Sequence, residues 1–286
     1  MNKSNRYVSI IAPPRSGTTA LGEFVKYVFD AAYWIEPKYI WLYKHDYRKG
    51  DTRSSDEATP GVRIFIKKRF DRYLKKNNKR IFLEKTPSNV MRLEFVAEVI
   101  PSLNVIWLLR EPMEFAHSYK SKGNKPFTKD VILRRLKNRD MTLDFIIRNS
   151  GHIFGLMLVF FLSMKSKKYW GIKESKILDD DDLLRLWIAM HTKILRALEN
   201  NLFSHGILLT YDDLIDNHPD HIARALSEKL RLNIVNNVDG WNDNFERRKH
   251  SKNTLNVNQN LIDEANKIYT KLKTFSCFSD VSKPEI

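Results

Sequence analysis

Short apolar runs alternate with amphipathic helical patterns along the first part of the chain. Three of these runs have the length and composition of buried parallel strands: residues 7–12, 80–84 and 104–109. Apolar positions at helical spacing follow each run and predict helices that begin near Thr18, at Thr86 and after Pro112. Strands that alternate with helices across short loops predict a parallel sheet with right-handed crossovers.

The second half of the chain continues this pattern after a long interruption. Residues of the middle, about 128–201, are mostly helical in pattern, and an acidic helix start at 179–182 precedes the most regular part. A further strand is predicted at 206–210 and a last helix at 258–273. We therefore predict one α/β domain over residues 1–286, a P-loop-like three-layer fold with a central parallel sheet and a mostly helical insertion.

The bulk composition narrows the class of protein. A chain of 286 residues with 42% hydrophobic side chains can bury the core of such a domain. The single cysteine, Cys277, leaves no disulfide framework and no cysteine-rich metal site within one chain, and we expect no metal. The first residues lack a signal-peptide pattern, so we expect a cytoplasmic protein. The longest apolar stretch, residues 153–164, is shorter than the ~20 residues of a membrane span, which leaves peripheral membrane contact open.

The charge balance is strongly basic. Lysine and arginine number 49 against 34 acidic residues, which gives a formal net charge of +15. Such a charge attracts polyanions, among them nucleic acid, anionic lipid, anionic glycan and a polyphosphorylated cofactor. Much of the charge lies in residues 67–80, 120–129 and 247–252, where solvated helix faces are an equally good explanation. Charge alone therefore does not choose the partner.

Three cationic side chains lie where strands are predicted to end: Arg15, Lys85 and Arg110. Ligands of parallel α/β sheets bind beyond the carboxyl ends of the strands, so these residues are candidates for one site.

The first candidate is the segment Pro14-Arg15-Ser16-Gly17-Thr18-Thr19. A glycine turn before a helix offers backbone N–H groups that wrap a phosphate. The segment lacks the lysine of a Walker A motif, which disfavours magnesium-nucleotide binding, and Arg15 supplies a permanent cation instead. The sequence PRSGTT resembles the 5′-phosphosulfate loop of the sulfotransferase superfamily, whose donor is 3′-phosphoadenosine 5′-phosphosulfate (PAPS).

A second motif runs from Arg110 to Ser118. It resembles the 3′-phosphate site of the same superfamily, in which a strand-end arginine and a serine eight residues later share one phosphate. Arginine gives a bidentate fork for phosphate, and Ser118 adds a hydroxyl about two turns along the helix. Lys122, one turn further, is a third candidate contact. The resemblance implies PAPS as donor and its desulfated form, PAP, as product.

The third motif, Glu84-Lys85-Thr86-Pro87, resembles the KTP turn of glycan and tyrosylprotein sulfotransferases. That resemblance implies that Lys85 reaches the transferring sulfuryl group and offsets the charge that develops there.

The general base is less sharply defined by the sequence. Glu36 is the first candidate, because the glutamate-using branches of the family place their base about 20 residues after the loop arginine. His45 and His117 are the alternatives, since the cytosolic branch uses a histidine. His117 directly precedes Ser118 on the donor side, which disfavours it as the base.

Weaker signals extend the predicted donor site. Tyr211, in a segment similar to the family's YEDL strand exit, and Ser251 and Lys252, in a basic loop, are candidate donor contacts. The helical middle matches no motif and is the expected source of acceptor specificity.

The sequence thus predicts an enzyme that moves a sulfuryl group from PAPS to an acceptor hydroxyl, with Arg15, Lys85 and Glu36 as catalytic residues. We expect a glycan or glycolipid acceptor, since aromatic residues near Trp34 and Trp41 suit sugar rings. We expect no nucleic-acid partner. Two alternatives stay open: a nucleotide or small-molecule kinase of P-loop type, and a nonenzymatic polyanion-binding protein.

Overall fold

A computed structural model describes residues 4–46, 50–122, 178–241 and 255–278. Ser251, Lys252 and the larger part of the predicted helical insertion lie outside the described residues.

The described residues form a five-stranded parallel sheet. Its strands are β1 (Arg6–Ile11), β2 (Ala32–Ile35), β3 (Ile81–Lys85), β4 (Leu103–Leu109) and β5 (His205–Thr210). They are ordered β2-β3-β1-β4-β5, and every neighbouring pair is parallel. The predicted central parallel sheet is confirmed, and each of the four predicted strands lies within one residue of its observed bounds.

The edge strand β2 was not predicted. It has only four residues, and its two aromatic side chains are part of the aromatic segment that also contains Glu36. Its pairing with β3 places Ile35 opposite Lys85.

Nine α-helices lie in the described part of the chain. In chain order they are α1 (Thr18–Phe29), α2 (Lys38–Trp41), α3 (Pro60–Asn77), α4 (Leu93–Val99), α5 (Pro112–Lys122), α6 (Asp180–Glu199), α7 (Tyr211–Asp216), α8 (Pro219–Leu230) and α9 (Gln259–Lys273). Short 3-10 helices cover Ser55–Glu57, Pro87–Arg92 and Val238–Gly240. None of the described helices is long and apolar enough to cross a membrane.

The sheet is covered on both faces, which makes the three layers of the fold. Successive side chains of a strand point to opposite faces, so Tyr7 and Ile11 join one buried cluster while Val8 and Ile10 join the other. Helices α1 and α8 cover the second face; α3, α4, α5, α6 and α9 contribute to the first.

Two helix starts show how local chemistry sets the boundaries. Asp179 caps α6, because its carboxylate accepts a hydrogen bond from the Asp182 amide at 2.8 Å, as the acidic run predicted. The helix predicted from Thr86 instead opens with the 3-10 turn Pro87–Arg92, and α4 begins only at Leu93. Thr86, which precedes this turn, and Asn89, within it, donate hydrogen bonds to Glu84.

Candidate active site

The predicted site residues lie along one edge of the sheet. Each strand ends at this edge, and each brings one candidate with it: Glu36 after β2, Lys85 at the end of β3, Arg15 after β1, Arg110 after β4 and Tyr211 after β5. The spatial order of the strands is therefore also the order of the candidates across the edge.

The loop after β1 is built around two left-handed residues. Arg15 has φ 73° and Gly17 has φ 90°, and Gly17 is the N-cap of α1 without a side-chain capping bond. The first amides of a helix, here those of Thr18 and Thr19, have no acceptor within the helix and point out of its end. A Cβ on Gly17 would lie 2.9 Å from Cε2 of Tyr211, so the close approach of the Tyr211 ring also requires glycine.

The loop also contains a buried hydroxyl that fits an anion. Ser16 is fully buried, and its Oγ has no hydrogen-bond partner among the described residues. A buried donor without an acceptor costs about 1–3 kcal/mol. A phosphate or sulfonate oxygen in the loop would supply the missing acceptor. The hydroxyl, the αL glycine and the free helix amides therefore fit a phosphate or sulfonate group.

Arg110 is held by contacts on several sides. It is 4% exposed; its Nη1 donates a hydrogen bond to the carbonyl of Arg15 at 2.7 Å, and its guanidinium lies 4.3 Å over the Tyr211 ring. Its Nε lies 3.5 Å from Oε2 of Glu114, and its own carbonyl accepts a 3.0 Å hydrogen bond from the indole of Trp187. A cation fixed in this way is preorganised for an anionic ligand.

Sequence reasoning missed two of these contacts. The pairing of Glu114 with Arg110 follows the i,i+4 spacing and was readable from the sequence. Trp187 carried no such signal, because it approaches from α6, 77 residues further along the chain.

The other donor-site candidates lie on α5 and α1. Ser118 is buried two turns after Arg110, and Lys122 is the last residue of α5. Thr18 is buried and Thr19 is exposed at the start of α1. Burial of Tyr119 raises the pKa of its phenol, an effect that the nearby cation of Arg15 partly opposes.

Two of the predicted catalytic residues, Glu36 after β2 and Lys85 at the end of β3, form an ion pair. Lys85 Nζ lies 2.8 Å from Glu36 Oε1, and the Glu36 amide donates a hydrogen bond to the Lys85 carbonyl at 2.9 Å. The Lys85 side chain is 6% exposed, whereas the Glu36 side chain is 31% exposed and therefore accessible to an acceptor. Glu36 has φ 54°, a left-handed conformation that is costly for a residue with a side chain and that is typical of functional sites.

The alternative bases occupy other places. His45 is buried, and its Nδ1 lies 2.8 Å from Oε2 of Glu57, which ties it to the 3-10 helix Ser55–Glu57. His117 is half-buried on α5, immediately before Ser118.

The two tryptophans near Glu36 lie in the core. Trp34 is buried and stacks on Tyr73 with ring centroids 4.4 Å apart, and Trp41 is fully buried against Phe70. Both indoles therefore belong to the core, and the prediction that aromatic residues near them contact a sugar ring stays a prediction for the half-buried tyrosines of this segment.

No group of three or more His, Cys, Asp or Glu residues in the described ranges is arranged to hold a metal ion.

No family model matches the sequence, and no curated protein matches it. Among solved structures, the sulfotransferase domain from the curacin biosynthetic pathway is similar, with 13% identity over 95% of this chain and 98% of that chain and a TM-score of 0.49. A sulfotransferase from Alicyclobacillus acidocaldarius has 12% identity over 96% of both chains and a TM-score of 0.41. Mouse sulfotransferase SULT7A1, complexed with PAP, has 11% identity over 98% of this chain and 74% of that chain and a TM-score of 0.36.

Proposed function

We propose that this protein is a sulfotransferase that moves a sulfuryl group from PAPS to the hydroxyl of a glycan or glycolipid. The observation that carries the proposal is the order of the side chains along the sheet edge. A paired carboxylate and lysine, Glu36 and Lys85, lie at one end, the loop of Arg15 is in the middle, and Arg110 lies beyond it. A base, a charge-neutralising cation, a phosphate loop and a second phosphate cation are the parts that such a transfer needs.

The donor half of the site would hold PAPS by its two ends. The loop amides, the Ser16 hydroxyl and the Arg15 cation would receive the 5′-phosphosulfate. Arg110 and Ser118 would receive the 3′-phosphate and so separate PAPS from nucleotides without it. Lys122, Tyr211, Ser251 and Lys252 remain predicted contacts of the same donor.

The acceptor half would perform the proton transfer. Glu36 takes the proton of the acceptor hydroxyl, whose oxygen forms the new bond to sulfur while the bond from sulfur to the leaving 5′-phosphate oxygen breaks. Lys85 offsets the charge on the sulfonate and leaving-phosphate oxygens from its position beside Glu36. PAPS supplies the activated sulfuryl group, and the described residues supply binding, alignment and the base.

The choice of a glycan or glycolipid acceptor depends on two features. The turn Glu84-Lys85-Thr86-Pro87 and a glutamate in the position of the base are both similar to those of glycan-modifying sulfotransferases. The exposed carboxylate of Glu36 is compatible with a large acceptor that approaches from solvent.

The proposal is tested by calorimetric titration of the purified protein with PAP, with AMP and with ATP plus magnesium. We expect micromolar binding of PAP, with AMP and ATP much weaker, followed by transfer of label from PAPS to members of a glycan and glycolipid panel. Tight binding of ATP with magnesium and none of PAP would overturn the proposal in favour of a kinase. Weak, salt-sensitive binding of all three without transfer would favour a polyanion-binding protein.

A further inference from the structure

A carboxylate lies buried directly beside the proposed catalytic lysine. Glu84 is the residue before Lys85 on β3 and is fully buried. Since successive side chains of a strand point to opposite faces, Glu84 enters the face of the sheet away from Lys85. It therefore cannot touch the reacting groups, and its influence on them has to pass through the backbone that the two residues share.

Three donors, one from β1 and two from the turn after β3, converge on this carboxylate. Ser9, on β1, donates its hydroxyl proton to Oε1 of Glu84. Thr86 Oγ1 donates to Oε2 at 2.6 Å, and Asn89 Nδ2 donates to Oε1 at 3.1 Å. Thr86 and Asn89 lie in the first half of the turn that follows Lys85, so the carboxylate joins that half of the turn to the central strand of the sheet.

A second tier of bonds extends the network. Arg92 is fully buried; its Nε donates to Oδ1 of Asn89 at 3.0 Å, and its Nη2 donates to the Ser88 hydroxyl at 2.7 Å. Burial raises the pKa of Glu84 and lowers the pKa of Arg92 to about 10, as expected for ionisable groups removed from water. Rearrangement of these bonds is costly, because a buried polar group that loses its partner is left unsatisfied.

We propose that Glu84 is a positioning residue that fixes the turn 86–92 and thereby holds Lys85 Nζ against Glu36. The identification of Lys85 as catalytic rests on the proposed function, whereas the restraint on its side chain rests on the hydrogen bonds alone. If Glu84 only stabilised the fold, its substitution would lower the stability of the protein without changing the environment of Lys85.

The first test measures the environment of Lys85 without any assay of activity. The rate at which acetic anhydride labels each lysine is followed by mass spectrometry in the wild type and in Thr86→Val and Glu84→Gln. Thr86→Val keeps the shape of the side chain and removes one donor. Lys120, on α5, is the internal reference; its Nζ forms an ion pair with Asp180 at 2.8 Å. We expect faster labelling of Lys85 in both variants and an unchanged rate for Lys120; unchanged labelling of Lys85 in folded Thr86→Val would overturn the proposal.

The second test separates positioning from stability in the transfer reaction. Thr86→Val should lower kcat by ~10- to 100-fold, the effect of a small misplacement of a reacting group, with the Kd for PAP changed less than about twofold. Ser227→Ala is the matched control, because its hydroxyl also bonds within the protein, to the Leu232 carbonyl at 2.6 Å, but on α8. If Thr86→Val and Ser227→Ala lose the same stability and also the same kcat, the loss of kcat follows from the loss of stability, and the positioning role is contradicted. If the wild type neither binds PAP nor transfers sulfuryl, the proposed function fails, while the labelling result still decides the role of Glu84.

Discussion

Arg110 donates a hydrogen bond from its Nη1 to the backbone carbonyl of Arg15, 2.7 Å away, and so links the loop after β1 to the end of β4. The two cationic positions proposed for the two ends of the donor are thus part of one assembly. Tyr211 completes it, because its ring lies beneath the Arg110 guanidinium and against Gly17. A change at any of these residues should therefore affect donor binding more than it affects the paired Glu36 and Lys85.

Substitution of Arg110 by alanine should weaken PAP binding by about 1.5–3 kcal/mol, the value of a charge-assisted hydrogen bond. AMP, which lacks the 3′-phosphate, should lose less affinity, because it loses only the support that Arg110 gives to the Arg15 loop. Calorimetric titration of wild type and variant with both nucleotides measures the difference. Arg185→Ala, on the exposed side of α6, is the control for loss of one positive charge. Equal weakening of PAP and AMP would show that Arg110 does not select the 3′-phosphate.

Gly17→Ala should abolish measurable PAP binding and destabilise the fold by more than ~1 kcal/mol. The new Cβ would meet the Tyr211 ring at 2.9 Å, in a backbone conformation with φ 90° that alanine disfavours. Urea unfolding and PAP titration measure both effects. Gly61→Ala, on α3, has open space around its Cβ and should slightly stabilise the protein without changing PAP affinity. Unchanged PAP affinity in Gly17→Ala would place the donor away from this loop.

Glu36 and His45, two of the three candidate bases, are distinguished by a pair of substitutions. Glu36→Gln should lower kcat by ~10²–10⁴ and leave the Kd for PAP unchanged, because a positioned base is lost while the donor half stays intact. His45→Gln breaks the bond to Glu57 and should lower stability by about 1–3 kcal/mol with little change in kcat. The opposite outcome, full activity in Glu36→Gln and none in a folded His45→Gln, would make the histidine the base.

The sequence was sufficient for the parts of the fold that depend on local pattern. The strand, glycine turn and helix around Gly17, and the strand that ends at Arg110, were predictable because apolar runs and loop residues follow one another directly. The edge strand β2 was not, since four residues with two aromatic side chains carry no clear alternation. The ion pair of Glu36 with Lys85 depends on the register of that strand, so it emerges only from the folded sheet.

Contacts between residues distant in sequence were equally hidden. Ser9 and Glu84 are 75 residues apart, and Trp187 and Arg110 are 77 residues apart, yet both pairs support the site by hydrogen bonds. A serine in a strand and a tryptophan in an amphipathic helix are ordinary residues in sequence, and only the three-dimensional arrangement gives them a partner.

The helix that supports Arg110 contains a buried, uncharged histidine. His191 lies one turn after Trp187 on α6, its Nδ1–H donates to the Trp187 carbonyl at 2.8 Å, and its ring stacks on the indole at 3.8 Å. Its Nε2 is buried without a hydrogen-bond partner among the described residues. A proton on Nε2 would therefore bring an unsolvated charge into the core, and burial lowers the pKa of His191 from 6.5 to about 3.

This histidine should make stability depend on pH in a range where carboxylates contribute little. Between the unfolded pKa of 6.5 and the folded pKa of about 3, the unfolded chain binds one more proton at His191 than the folded chain does, so stability falls as the pH falls. From pH 7 to pH 5 the loss should be about 2 kcal/mol. Urea unfolding across this range should show a flatter dependence in His191→Asn, whose amide can replace Nδ1–H, whereas His221→Asn, on the exposed face of α8, should keep the wild-type slope. Parallel loss of stability in the wild type and His191→Asn would mean that His191 takes up its proton over the same pH range in the folded and the unfolded protein.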